Sequence, residues 1–483
     1  MSAVETRHTD YSKYRPRWDK CRHFCEGEVK DKAELYLRPL SGHSSPKDER
    51  YLGYLDRAYY YNASGRTVDA LSGAVFAKTP NVELPAQMEA FAEDVTLSGC
   101  SLEELANQLM EEMLQVGRHF ILADHNQSAE ERGVTVAIAE ARNLRPKLVP
   151  YRAEQVINWR YGMVNKRWIL TLVVLEEQYD NEINEFEVTR ETRYRVLRIV
   201  NGQYQQEVWE RSGEEFAATE RHTPTLRNRP FDYIPGFMFG PCNDDEIEMP
   251  PLWDLIEANH AHYKTSADYE HGTHFTGLPT YFGSGFKLPE GESFPVGSTE
   301  VYVRSEPDAK VEIIEFTGKG LETLEKNLER KEQHMASLGA RLLQESPRQV
   351  ETAQAVNTKQ SGENSVLASL AKSASKGLTW LLEIARDWQG VSGEISIELN
   401  TDYIPDSVDA QTITALIAAC QKGLMTRETF VYNMQRGGYL PEETTIEEEV
   451  EEAEEQDAPP PGMDEFGQPP QNQPEQPPQA ANG

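Results

Sequence analysis

Three features of the sequence predict an α+β fold. They are a pair of long helical patterns between Leu321 and Gly390, a series of period-two segments from Val134 to about Phe239, and a Gly-, Pro-, Val- and Tyr-rich stretch, Gly277–Phe316, set between helices. The first helical pattern, LETLEKNLERKEQHMASLGARLLQE, spaces Leu321, Leu324, Leu328, Met335, Leu338 and Leu342 three, four or seven apart. A rhythm near 3.5 residues lays one narrow apolar stripe along a helix of about 25 residues, roughly 38 Å long at 1.5 Å per residue. Lys331 stands where the stripe continues, so a charge sits in mid-seam. Ser346-Pro347-Arg348 breaks the pattern, because proline removes a backbone donor and drives its predecessor out of the helical region. A second pattern runs from Glu351 to Trp388. A helix that stops, offers a short polar loop and restarts suggests a column with something passing beside it.

The remaining elements follow in chain order. Residues 1–29 alternate basic and aromatic side chains (Arg7, Tyr11, Lys13, Tyr14, Arg17, Trp18) and read as an arm lying on a neighbouring subunit or on the body. Asp48–Lys78 and Ser101–Leu122 read as helices, the second opened by a Ser101/Glu104 capping box. The period-two segments WILTLVVLEEQY, FEVTRETRYRVLRIV and QYQQEVWERS, parted by Asn/Gly turns, predict an antiparallel meander. Pro250-Pro251 starts a helix that runs to about His274, where Gly272 weakens its end. After the long helical pair come a strand, ISIELN, and two short helices, Asp409–Cys420 and Thr426–Arg436.

The net charge is −32, and it is unevenly placed. From Gly437 onward there is no Lys or Arg and thirteen acidic residues, ending in a Pro/Gln/Asn-rich stretch. Pro441–Gly483 is therefore expected to be disordered, since it has too little apolar surface to offset ordering entropy. An acidic body argues against a protein that clings to nucleic acid, because counterion release needs Lys and Arg. It leaves room for one that DNA slides past. No apolar run approaches the roughly 20 residues of a bilayer span, and no apolar segment follows the basic N-terminal residues, so neither membrane insertion nor a secretory signal is expected. Cys21, Cys25, Cys100, Cys242 and Cys420 are odd in number and scattered, and read as reduced thiols.

Catalytic signatures do not stand out. Gly283-Ser284-Gly285 lacks the Gly-Lys-Ser/Thr ending of a phosphate loop. His260, His262, His271 and His274, with Glu270, are the nearest approach to a metal cluster, and Gly272 falls between the last two. Polar packing is the expected use of these histidines; a metal-dependent hydrolase is the enzyme alternative. The chain is read as no enzyme, with no cofactor, no metal and no catalytic residue.

Four stretches together resemble the portal proteins of tailed double-stranded DNA bacteriophages. They are RTVDALSGAVFAKTP at 66–80, YRAEQVINWR at 151–160, PPLWDLIEANHAHYKTSADYEHGTHFTGLPT at 250–280 and ETAQAVNTKQSGENSVLASLAKS at 351–373. The resemblance covers about residues 50–440. It implies a phage portal fold: wing 30–249, descending stem helix 250–274, clip 275–317, ascending stem helix 318–343, tunnel loop 344–350, long wing helix and return strand 351–404, and crown 405–440. The arm (1–29) and the tail (441–483) fall outside it.

It further implies a homo-oligomeric ring, generally a dodecamer, at one capsid vertex of the virion, assembled in the host cytoplasm. Duplex DNA would pass through it during packaging and ejection. Its partners would be the large terminase subunit, head–tail adaptors, and the major capsid and scaffold proteins, with no membrane. The tunnel loop would comprise Gln344, Glu345, Ser346, Pro347, Arg348, Gln349 and Val350. Lys326, Lys331, Arg341, Glu325 and Glu329 are candidates to face DNA. In a ring, the stripe Leu321, Leu324, Leu328, Met335, Leu338 and Leu342 would pack against neighbouring stem helices. A head–tail adaptor or other ring-forming virion protein is the alternative, though adaptors are generally shorter and lack the break near 344–350.

Overall fold

The structure, a computed structural model, describes residues 3–39, 48–125, 144–226, 229–240, 246–277, 280–285, 308, 310–314, 319–343, 365–401 and 403. The chain divides into two compact units, Met1–Ala353 with Ser361–Thr401, and Gln354–Gln360 with Asp402–Gly483. The description that follows is of the first. The expected tunnel loop, the crown, the acidic tail, the two short helices after 404 and most of the clip lie outside the described residues.

The N-terminal segment is a helix packed on the body, one of the two placements expected for it. In α1 (Thr9–Cys25), Tyr11, Trp18, Cys21, Phe24 and Cys25 fall on one face and are buried. Pro16 sits on the exposed side, so the carbonyl it leaves unbonded, that of Ser12, faces water. After α2 (Ala33–Tyr36), the helix expected over Asp48–Lys78 is two: α3 (Glu49–Arg57) and α4 (Ala63–Val75). Asn62 makes the break by capping α4, accepting from the Gly65 amide at 2.8 Å. A Cβ on Gly65 would stand 2.4 Å from the Cys25 carbonyl oxygen, so only glycine lets α4 start against the end of α1.

β1 (Asn81–Glu83) and α5 (Glu89–Glu93) lead to α6 (Leu102–Gln115), whose capping box forms as expected. The helix ends at Gln115 instead of Leu122. Gly117 turns the chain at φ +76, where a Cβ would press at 3.2 Å on Pro251, and β2 (His119–His125) begins. β3 (Pro146–Arg152) pairs with β2. The meander proper is β4 (Val156–Val164), β5 (Arg167–Asn184), β6 (Glu187–Val200), β7 (Gln203–Ser212) and β8 (Glu215–His222), each antiparallel to the next. The small β9 (Thr225–Leu226) and β10 (Arg229–Pro230) pair together, and β11 (Gly236–Phe239) leaves the meander to join β2 in the order β11-β2-β3.

Two long helices, α7 (Trp253–Gly277) and α8 (Lys319–Arg341), flank the antiparallel pair β12 (Thr280–Ser284) and β13 (Lys310–Ile314). The next helix is α9 (Val366–Gln389), and residues 351–364 of the expected second pattern lie outside the described residues. Ser365 has extended backbone and accepts from the Ala368 amide at 3.1 Å, an N-cap that fixes the first turn. Leu367, Leu370, Ala374, Leu378, Leu381 and Leu382 of α9 are fully buried. Gly377 meets β11, where an added Cβ would stand 2.2 Å from the Phe239 ring. The final strand, β14 (Ser396–Glu398), pairs with β1 and closes the unit.

Buried ion pairs bind these layers. Arg22 of α1 makes two forked contacts, to Glu112 of α6 (3.0 and 2.5 Å) and to Glu154 between β3 and β4 (2.6 and 3.0 Å). A second knot joins the two sheets: Glu177 of β5 accepts from Tyr151 of β3 (2.6 Å) and from Arg193 (2.8 Å) and Arg195 (2.6 Å) of β6. Burial by itself raises the Glu112 pKa, but the neighbouring His119 and Arg22 outweigh it and hold it at about 2. Its folded pKa is thus below the unfolded value of about 4.3, so its contribution is full above that pH and is lost as pH falls toward 2. Urea unfolding from pH 5 to 2.5 is expected to show a steep loss of stability in the native chain. Glu112→Gln, destabilised by about 3 kcal/mol at pH 7, should show a shallower one.

Candidate functional site

The helix pair α7–α8 is the part of the fold with least precedent in an ordinary core. The helices run antiparallel: Leu321 lies over Gly272, and ten residues on Lys331 and Glu332 meet Ala261, His262 and Thr265. Gly272 gives the closest approach, since a Cβ there would stand 2.6 Å from Leu321 Cδ2. It serves the seam between helices, beyond loosening the end of one.

The apolar stripe of α8 faces this seam. Met335 and Leu342 are buried, and Leu321, Leu324, Leu328 and Leu338 are half-buried. The stripe lies against the chain's own α7 and, toward its end, against α4, where a Cβ on Gly339 would sit 3.2 Å from Thr67. Within one chain the stripe is covered in part: Met335 and Leu342 fully, the four other leucines by half.

Lys331 stands in the seam, where its place in the stripe put it. Its ammonium donates to the Ala261 carbonyl at 2.9 Å and to the Thr265 hydroxyl, so it is turned into the seam and away from the exposed face. Burial lowers its pKa. Glu325, Lys326, Glu329 and Arg341 do lie on the exposed face, together with Glu322, Arg330 and Glu332. Glu322 and Lys326 pair one turn apart at 2.6 Å, both largely in solvent.

α7 is held on its other side by polar contacts to the body. His260 Nε2–H donates to the Tyr36 carbonyl (2.9 Å), while its Nδ1 accepts from Lys20 (3.1 Å). The Asn259 amide is buried against the hydroxyls of Ser64 (3.0 Å) and Tyr60 (3.2 Å). Tyr54 donates to Asp268 at 2.7 Å, and Arg57 to His271 at 3.2 Å. His262 is buried beside Glu332 (3.3 Å), and burial lowers its pKa despite that carboxylate. His274 is exposed against Phe275. The four histidines thus look to different partners, and among the described residues no three His, Cys, Asp or Glu side chains converge as metal ligands.

The far end of α8 has one further feature. The Leu367 amide donates to the Leu342 carbonyl at 3.1 Å. The chain therefore leaves the pair at Leu343 and returns at Ser365 to the same point, beside core helix α9. No periodicity or capping pattern points to this closure. The α1 packing, by contrast, could have been found from Tyr11, Tyr14, Trp18, Cys21 and Cys25, which are spaced three and four apart.

Residues 251–389, which hold α7, α8 and α9, match a family described as a domain of unknown function (DUF4055). No curated protein matches the chain significantly. Among solved structures, a chain of the virion of the native gene transfer agent (GTA) particle is similar at 14% identity and TM-score 0.38, over 86% of this chain and 99% of that one. A chain of the native GTA particle neck computed with C12 symmetry is 13% identical at TM-score 0.36, over 81% and 94%. One from the empty GTA particle neck computed with C6 symmetry is 15% identical at 0.39, over 84% and 96%. At TM-scores below 0.4 neither architecture nor role transfers from these chains.

If the seam is internal, Leu328→Asp should cost the unassembled chain about 2–3 kcal/mol in denaturant unfolding, and Glu325→Ala less than about 0.5. A stripe reserved for neighbouring copies would leave the two single-chain stabilities alike.

Proposed function

We propose that this chain is a portal protein of a tailed-phage-like virion, forming a ring whose channel carries duplex DNA in during packaging and out during ejection. One observation carries the reading: an antiparallel helix pair spends its apolar seam within one chain and presents a continuous charged face. The resemblance of four sequence stretches to phage portals supports it. In this reading α7 and α8 are the stem, β12 and β13 belong to the clip, and the segment anchored at Leu342 and Leu367 contains the tunnel loop.

The chemistry of the exposed face suits a conduit. Repeated around a ring, Glu322, Glu325, Glu329 and Glu332 become tiers of negative charge, interrupted by Lys326, Arg330 and Arg341. Acidic tiers repel the phosphate backbone and keep passing DNA from sticking, while sparse cations supply weak, repeated contacts. The chain performs no reaction in this role; the packaging ATPase is a separate terminase subunit, and head–tail adaptors dock on the clip side.

Electron microscopy of the purified chain tests this. End-on averages are expected to show closed rings, twelve-fold in the simplest case, with a central hole wide enough for duplex DNA. Two-fold dimers or solid particles without a channel would refute the reading.

A further inference from the structure

The β5–β6 hairpin is longer than the sheet that carries it. β4 pairs with β5 only over Arg167–Leu175, and β7 pairs with β6 only over Tyr194–Val200, yet β5 and β6 pair with each other out to Asn184 and Glu187. The last eight residues of β5, about 26 Å of strand, therefore stand out as a two-stranded ribbon. Such a ribbon is marginal alone in water. Its tip nonetheless exposes Phe186 (91%), Ile183 (58%) and Val188 (55%), ringed by Asp180, Glu185 and Glu187. Apolar groups clustered at an exposed tip mark a binding element.

A recess of complementary character lies at the other end of the same sheet. Tyr161, Ile169, Tyr233, Phe237 and Trp380 line a cavity of about 220 Å³. Tyr233 also lines a second, larger recess of about 500 Å³ with Leu226, Arg229, Pro230, Phe231 and Asp232. Arg167 and Arg229 stand exposed at the margins of the two, and the carboxylates of Asp232, Glu383 and Asp387 also lie near Tyr233. A cavity of roughly 150 Å³ accepts benzene, so the first recess has room for one phenyl ring. The tip of the same copy cannot fill it: Leu170 and Asn184 are separated along β5 by fourteen residues, about 46 Å of extended strand.

We infer that the β5–β6 hairpin of one copy docks in the Tyr161–Tyr233–Trp380 recess of the next, with Phe186 as the anchor and Glu185 and Glu187 set against Arg167 and Arg229. Apolar tip meets aromatic recess, and the two glutamates flanking the tip meet the two arginines at the recess margin. Knob and recess are different patches of one chain, so the contact is head-to-tail and propagates around a ring when the rotation closes. This inference rests on the ring reading above and names the surface that joins the copies.

Charge reversal and site-specific cross-linking test it together. Glu185→Lys with Glu187→Lys, or Arg167→Glu with Arg229→Glu, is expected to raise the concentration for half-assembly at least about tenfold. All four changes in one chain should restore assembly. A photo-crosslinking benzoylphenylalanine at position 186, a fully exposed site, is expected to link to residues 161–170, 226–238 or 380 of another copy. Rings that form with cross-links elsewhere, or that ignore both reversals, overturn the hairpin contact and leave the ring reading standing. A native chain that never assembles overturns both.

Discussion

A single ammonium group sets the register on which the helix pair depends. Lys331 occupies a seam position that a leucine would fill, and its charge must be met inside the seam. The Ala261 carbonyl and the Thr265 hydroxyl of α7 meet it, while Thr265 also donates to Ala261 at 3.2 Å. Sliding α8 by one turn would leave the half-buried ammonium without these acceptors, a cost of roughly 1–3 kcal/mol. A polar residue in an apolar seam thus specifies alignment at some expense of stability, as polar core positions do in coiled coils. Gly272 acts at the other end, since only at this register does Leu321 find the space it leaves.

From that seam, position is passed to the rest of the unit. α7 presents one side to α8 and the other to α1, α2, α3 and α4 through His260, Asn259, Asp268 and His271. α1 in turn is locked to α6 and to the β3–β4 junction by Arg22, and Glu177 joins the two sheets. These ionic knots are costly to break and specific in geometry, so a bend in α7 is resisted through several layers. The same rigidity would hold a projecting hairpin and its recess at fixed spacing, which a closed ring requires.

Much of this was legible in the sequence, for reasons tied to particular residues. The α8 stripe, the start of α7 after Pro250-Pro251, the Ser101/Glu104 box and the meander are local patterns, and each appears where periodicity or capping put it. What the local pattern did not carry was tertiary. That α7 covers the stripe follows from Gly272 and Thr265, information spread over two segments some fifty to sixty-six residues apart. The stripe put Lys331 in the seam, but its acceptors on α7 could not be read from one helix. α6 stops at Gln115 because Gly117 must pass Pro251, a residue far along the chain, and α9 opens at Val366 because Ser365 caps it. The expected tunnel loop and crown lie outside the described residues.

The helix pair α7–α8 is complete within one chain before any copies assemble. Hydrogen exchange on dilute, unassembled protein measures this directly. Amides across residues 256–272 and 322–341 should be protected to the same degree as those of α9. Rapid exchange there in the single chain, with protection gained only on assembly, would contradict it and return the leucine stripe to the interface between copies.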